Sequence, residues 1–195
     1  CTVDIAITDA TFADNCSGSA LAYVMTGATT GSGNGQVGTA SFTKGTTTIT
    51  YTVTDASNRT ATESMTVTVT DDEDPSITTV AGTVTLDLDA NGSVTVVLSD
   101  VFDSAADNCT ASGDIVTALD QTYTFDCDDV GVTQTISMTS EDEAGNTTTV
   151  TKDVEIADNI APTASVVATY DVYLDASGAA SVAFTDIDNG SSDNC

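Results

Sequence analysis

The chain has 195 residues and sets 30 acidic side chains against three basic ones, for a net charge of −27. A charge of that size repels other anions, so nucleic acid and insertion into an anionic membrane are excluded as partners and divalent cations are favoured. With no His, no Trp and 5% aromatics, the chain lacks the commonest general base and the aromatic lining of a sugar cleft, and it is expected not to be an enzyme.

Hydrophobic residues make up 40% of the chain, too many for an acidic disordered tail. They are mostly Val, Ile and Ala interleaved with Thr, a mixture suited to half-buried strands. In chain order, Gly31-Ser32-Gly33-Asn34-Gly35 reads as a hairpin loop; it has no Lys-Ser/Thr ending that would make it a phosphate cradle. Thr50–Thr54 alternates and runs into a turn at Asp55–Asn58, and Val67 and Val69 alternate with Thr66, Thr68 and Thr70. Beyond Pro75, strands are expected at 76–80, 83–88, 93–99, 115–119, 122–126, 132–140 and 147–156. No segment has a helical period, and none approaches the roughly 18 apolar residues of a membrane helix.

Internal repetition organises this pattern. Asp-Asn-Cys occurs at 14–16, 107–109 and 193–195. The strand and turn at 50–58 match 136–146, the run Asp71–Pro75 matches Ala157–Pro162, and Leu88-Asp89-Ala90-Asn91-Gly92 matches Leu174-Asp175-Ala176-Ser177-Gly178. The markers predict repeats of about 85 to 90 residues: a first repeat at 1–73 cut at its start, a whole one at 74–160, and the opening of a third at 161–195. The expected fold is all-β, a linear array of immunoglobulin-like sandwiches. Because the chain opens at Cys1 without Met, it reads as a piece of a longer precursor.

The order Asp-Asn-Cys, Val-Gly-x-Thr, Tyr51–Asn58, Val67–Asp71 and Pro75 resembles the hyalin-repeat family. Phe125–Gly131 and Tyr173–Gly178 resemble a variant found in large secreted surface proteins of Bacteroidetes-type bacteria. That resemblance implies an immunoglobulin-like fold and an adhesive or spacer role outside the cell. The first repeat departs from the second in having Thr43-Lys44-Gly45 where the second has Asp126-Cys127-Asp128, and Glu63 stands where many hyalin-type repeats carry a cysteine.

Five cysteines in a His-free acidic chain point to disulfides rather than zinc. Cys109 and Cys127 flank an expected hairpin and form the first candidate pair; Cys1 and Cys16 form the second, although Cys1 and Cys195 could each pair outside the chain. In an immunoglobulin-like sandwich the N-terminal linker, the B–C loop and the F–G loop share one end. The carboxylates expected to gather there are Asp71, Asp72 and Asp74; Asp100, Asp103 and Asp107; and Glu141 and Asp142. The corresponding set in the third repeat is Asp158, Asp186, Asp188 and Asp193. Like charges so close together repel unless a cation sits among them, and Ca2+ accepts many oxygens in flexible geometry. The alternative is a solvated acidic surface. Asp103-Ser104-Ala105 resembles a bacterial O-glycosylation site at Ser104.

The expected function is a non-catalytic stalk or spacer of a long extracellular, cell-surface adhesin or filament. Its partners would be neighbouring repeats of the same chain. The alternatives are an adhesive module gripping a surface glycan or another cell, and a fibre subunit assembling with like chains.

Overall fold

A computed structural model gives the structure of the chain and describes residues 1–15 and 17–195. The fold is all-β, and the chain packs as two compact units. One comprises Cys1–Ser76, Ala105–Val116 and Ser140–Thr148; the other comprises Ile77–Ser104, Thr117–Thr139 and Thr149–Cys195.

Six strands open the chain: β1 (Thr2–Ala6), β2 (Ala20–Gly27), β3 (Gly31–Asn34), β4 (Thr39–Thr43), β5 (Gly45–Thr54) and β6 (Thr60–Val69). They form a two-stranded ladder β1-β4 and a four-stranded sheet β3-β2-β5-β6. Phe42 from the ladder and Met25, Ile49 and Tyr51 from the sheet are buried together, with Ile5, Ala40 and Val67 packed around them. Two sheets closing on one apolar layer is a β-sandwich. On β5 the buried positions Thr47, Ile49 and Tyr51 fall on alternate residues, the strand period the sequence showed. Buried Thr47 is satisfied: its hydroxyl accepts the Thr29 N–H at 3.0 Å.

The expected loop at 31–35 is instead strand β3 paired with β2, Tyr23 opposite Gly33 and Met25 opposite Gly31. The neighbouring side chains lie over these glycines. A Cβ on Gly33 would stand 2.8 Å from the Tyr23 ring, and one on Gly31 would stand 2.9 Å from the Met25 methyl. Gly-rich composition, a loop signal in isolation, here serves close cross-strand packing.

A second sandwich uses β7 (Ser76–Thr79), β8 (Val84–Asp87), β9 (Ser93–Thr95), β10 (Phe102–Ala106), β11 (Val116–Leu119), β12 (Thr124–Asp126), β13 (Thr133–Glu141) and β14 (Thr147–Ala157). Its main sheet runs β11-β13-β14-β8, facing the pairs β12-β9 and β10-β7. Leu86, Ile136, Met138, Val154 and Ile156 from the main sheet bury against Val96 and Val101, with Ile77, Val94 and Phe125 packed on them. The first strand is divided. β7 joins β10, where Val80 N–H donates to Val101 O. After the turn at Gly82, β8 pairs in parallel with β14, Leu86 opposite Ile156. An N-terminal strand shared between two sheets gives the sandwich its immunoglobulin-like layout, and it accounts for the two separate strands expected at 76–80 and 83–88.

The expected strand 93–99 is shorter than predicted. It stops at Thr95, and Leu98–Val101 form one helical turn, α1, before β10 resumes. The Asp100 carboxylate takes the Val97 N–H at 2.9 Å, giving the backbone a partner other than the ladder. The same device recurs 86 residues on, where Asp186 takes the Ala183 N–H at 2.9 Å beside the turn α2 (Phe184–Ile187). Between Ala161 and Cys195 the chain forms two isolated bridges, Thr163–Ser192 and Val166–Asp188, rather than strands. Leu174 and Phe184 there are exposed, whereas their counterparts Leu88 and Leu98 are buried and half-buried.

The cysteine pairing differs from expectation. Cys109 bonds to Cys1 and Cys127 to Cys195, with Cα separations of 4.6 and 5.4 Å. The expected Cys109–Cys127 bridge assumed that 115–126 is a hairpin returning to its start. In fact β11 and β12 belong to different sheets, so Cys127 is carried away from Cys109. The expected Cys1–Cys16 pair is likewise replaced at Cys1; Cys16 lies outside the described residues. The observed bridges span 108 and 68 residues of sequence, long loops whose closure contributes about 4–5 kcal/mol each in the chain-entropy model. Peptide mapping without reduction should recover cross-linked peptides joining 1 to 109 and 127 to 195. Recovery of a 109–127 cross-link would refute this connectivity.

Candidate metal centre

Three of the carboxylates singled out in the sequence, one from each expected group, converge. Asp71 follows β6, Asp107 follows β10, and Asp142 opens the turn between β13 and β14. One oxygen from each lies within 4.8 Å of the others. Oxygens sharing one calcium at 2.3–2.6 Å can be no farther apart than about 5 Å, so this spacing suits a single ion. The Asp71 side chain is 1% exposed and Asp142 is 6% exposed.

Local turns fix two of the carboxylates, Asp107 and Asp142. Asp142 Oδ1 accepts the N–H groups of Ala144 and Asn146 at 2.8 Å each, and its Oδ2 accepts from the Asn146 side-chain amide at 2.9 Å. Burial works to raise the Asp142 pKa, but these hydrogen bonds outweigh it and hold the group below the ordinary carboxylate range. Asp107 Oδ2 accepts the N–H groups of Cys109 and Thr110, at 2.7 Å each. These bonds lower its pKa against the opposing effects of burial and of the Asp142 charge. Two ionised acceptors are thereby held close together.

Their compensation is incomplete. Lys44 Nζ lies 3.4 Å from Asp71 Oδ2, one ammonium for three carboxylates. Asp107 Oδ1 is buried and has no hydrogen-bond partner. A buried oxygen of an ionised carboxylate left bare beside two like charges is costly, and a cation relieves it directly. With three hard oxygen donors and no nitrogen or free thiol among them, the set fits Ca2+ better than a transition metal.

The other candidates are placed elsewhere. Asp72 and Asp74 are exposed, and Asp74 lines a shallow groove with Glu73, Ser76 and Asn108. Asp100 and Asp186 cap their helical turns, and Asp103 is exposed beside Ser104, its hydroxyl 3.5 Å away. Glu141 is exposed. Asp158 accepts from the Asn194 side chain at 3.1 Å and from Ile160 N–H at 3.0 Å. Asp188 and Asp193 take the N–H groups of Ser191 and Asn194.

Two participants were missed in the sequence. Lys44 could have been flagged as one of only three basic residues in the chain. Asn146, whose amide also reaches the Asp71 carbonyl at 3.3 Å, stood in the sequence as the end of a turn motif, with no sign that it bridges two of the segments.

No family model matches the chain, and no curated protein matches it. Among solved structures it is similar to the fibronectin(III)-like modules of Clostridium thermocellum CbhA, at 15% identity and a TM-score of 0.31, covering 80% of this chain and 86% of that one. The fold assignment rests on the strand pairing described above.

The depressed pKa of Asp142 sets a pH window. A carboxylate with a folded pKa below its unfolded value of about 3.9 stabilises fully above that value, and its contribution is lost as pH falls through the folded value. The stability lost on Asp142→Asn should therefore be constant from pH 7 to about 5 and shrink below about pH 4. Urea unfolding of both chains across this range checks it; a difference that grows on acidification would contradict the assignment.

Proposed function

We propose that the chain is a run of non-catalytic spacer repeats from a long extracellular, cell-surface adhesin or filament, with Ca2+ held by Asp71, Asp107 and Asp142. The repeats are those marked in the sequence, 1–73, 74–160 and 161–195, and the resemblance to hyalin repeats supports the extracellular setting. Two disulfides are compatible with an oxidising compartment. No helix of the described residues is long and apolar enough to cross a membrane.

The observation that carries the metal reading is the buried, unpartnered Oδ1 of Asp107, a carboxylate that clusters with those of Asp71 and Asp142. Asp71 belongs to the run that leads into Pro75, whereas Asp107 and Asp142 belong to loops of the repeat that follows. A shared ion ties the leading run to those loops, and in its absence the same charges push the run away. Calcium is in this reading what stiffens the chain where one repeat follows another.

A second reading is favoured by the exposed aromatics of the third repeat. Tyr173 is 85% exposed and Tyr170 is exposed as well. Such rings give a glycan a stacking surface, which an adhesive module requires. Binding on a glycan array that disappears with Tyr173→Ala would establish it.

Thermal unfolding tests the metal. Saturating Ca2+ should raise the transition relative to chelator, by the equivalent of about 2.7 kcal/mol at one hundred times the dissociation constant. Asp107→Asn should abolish the shift, and Asp100→Asn should preserve it. Identical curves with calcium and with chelator would exclude a calcium site.

A further inference from the structure

The segments that carry Asp71, Asp107 and Asp142 are distant in sequence, and each pair of them is tied together. Asn146, at the end of the Asp142 turn, donates its side-chain amide to the Asp71 carbonyl at 3.3 Å. Thr110, at the end of the Asp107 turn and 3% exposed, accepts the Glu143 N–H on its hydroxyl at 3.4 Å. The tie between Asp71 and Asp107 takes a longer route. The Lys44 ammonium lies 3.4 Å from Asp71 Oδ2, and the Lys44 backbone N–H donates to the Cys1 carbonyl at 3.2 Å. Cys1 is bonded to Cys109, whose own N–H is one of the two that hold Asp107 Oδ2.

The first two ties are hydrogen bonds. The third has a covalent bond in it, and that bond sits beside the ligand. Asp107 Oδ1 is the bare oxygen of the cluster, and its carboxylate is held through the Cys109 N–H. Where Cys109 stands therefore decides where Oδ1 stands. A disulfide is also a link that a change of redox conditions opens while the rest of the chain stays covalently intact. The other bridge, Cys127–Cys195, belongs to the other compact unit and holds none of the three carboxylates.

We infer that the Cys1–Cys109 disulfide is a redox control on the calcium site: closed, it fixes the Asp107 turn in the position that binds Ca2+, and opened, it frees the turn and weakens the hold on the ion. This rests on the calcium reading above. Opening takes two electrons from a thiol reductant. The Cys1–Cys109 S–S bond breaks, each sulfur ends as a thiol, and two reductant thiols give up their protons and join as one disulfide. In a reducing compartment the chain binds calcium weakly, and in an oxidising one the bridge closes and the site tightens. Linkage makes the effect reciprocal: the factor by which the bridge raises calcium affinity is the factor by which calcium protects the bridge from reduction. Supports that orient a metal ligand are commonly worth about ten- to a hundredfold in affinity.

Two measurements on the full chain test this. Calorimetric titration with Ca2+ should give a dissociation constant about tenfold or more higher for the double variant Cys1→Ser, Cys109→Ser than for the unaltered chain. The double variant Cys127→Ser, Cys195→Ser should bind as the unaltered chain does. The second measurement needs no variant, and it decides alone if the first double variant does not fold. In a dithiothreitol redox buffer, with thiols trapped by alkylation and located by peptide mass, saturating Ca2+ should move the Cys1–Cys109 midpoint to lower potential. The shift is about 30 mV for a tenfold coupling, and the Cys127–Cys195 midpoint should stay in place. Equal calcium affinities in the two double variants, or equal shifts of the two bridges, would overturn the inference and leave the calcium reading standing. An unaltered chain that takes up no Ca2+ would overturn both.

Discussion

The constraint behind this structure is how carboxylates find partners when basic side chains are almost absent. Thirty acidic residues face three basic ones, and Lys44–Asp71 is the ion pair among the described residues. The donors that take up the charge are backbone amides. Asp55, Asp89, Asp107, Asp142 and Asp175 each collect two N–H groups from the turn they open. Each such bond settles two accounts at once, the negative charge and the orphan amides of a tight turn. The acidic composition is in this sense structural: it writes the turns. The depressed pKa values of Asp89 and Asp175, caused chiefly by bonds from Ser93 and Ser177, follow from the same geometry.

The disulfides show a constraint met in two ways. Cys109 and Cys195 both end an Asp-Asn-Cys triplet, and each bonds to the end of a two-stranded ladder. At one ladder the partner is Cys1, just before β1; at the other it is Cys127, just after β12. Because Thr2 faces Thr43 and Ser93 faces Asp126, Cys1 corresponds to Gly92 and Lys44 to Cys127. The cysteine stands on different strands at the two ladders, while the bridged place is the same. At Gly92 a Cβ would stand 2.8 Å from the Cys127 sulfur and 2.5 Å from the Asn194 carbonyl. Where the sulfur comes from the facing strand, the position across from it leaves no room for a side chain.

Most of the fold could be read in advance because period and punctuation are local properties. Alternation on β5, β13 and β14, and the turns that open on Asp and close on Asn or Gly at 55–58, 89–92 and 142–146, are visible in a few consecutive residues. Failures came where a distant partner decides. Gly31 and Gly33 lie in a strand whose partners, Met25 and Tyr23, are distant from the Gly-rich run's own signal. The strand at 93–99 breaks because Asp100 folds back on Val97, and β10 beyond it went unread because the break hides it. The cysteine pairing failed for the same reason, since which sheet β11 and β12 join is not encoded within 109–127. The carboxylate cluster was half legible. The loops that meet follow from the fold class, so three groups of acids could be named, but which member of each group turns inward depends on which oxygen the neighbouring amides leave free.

That last dependence explains why a metal centre can arise in a chain built this way. Along the strands, many cross-strand side-chain contacts pair hydroxyls: Thr46 with Thr68, Thr50 with Ser64, Thr95 with Thr124 and Thr139 with Thr149. Neutral ladders keep like charges from facing one another across a sheet, where they would destabilise it. Many of the acids are left to the turns, where backbone amides meet them. In an isolated turn the outer carboxylate oxygen is hydrated and costs nothing. Where segments from three parts of the chain close over one another, water is excluded and the supply of amides stops at one oxygen of Asp107. The turn chemistry of the other acidic loops thus becomes, where 107 and 142 meet Asp71, a set of preorganised acceptors with one oxygen, Asp107 Oδ1, lacking a donor, and a hard cation is the partner that completes it without adding a basic residue to the sequence.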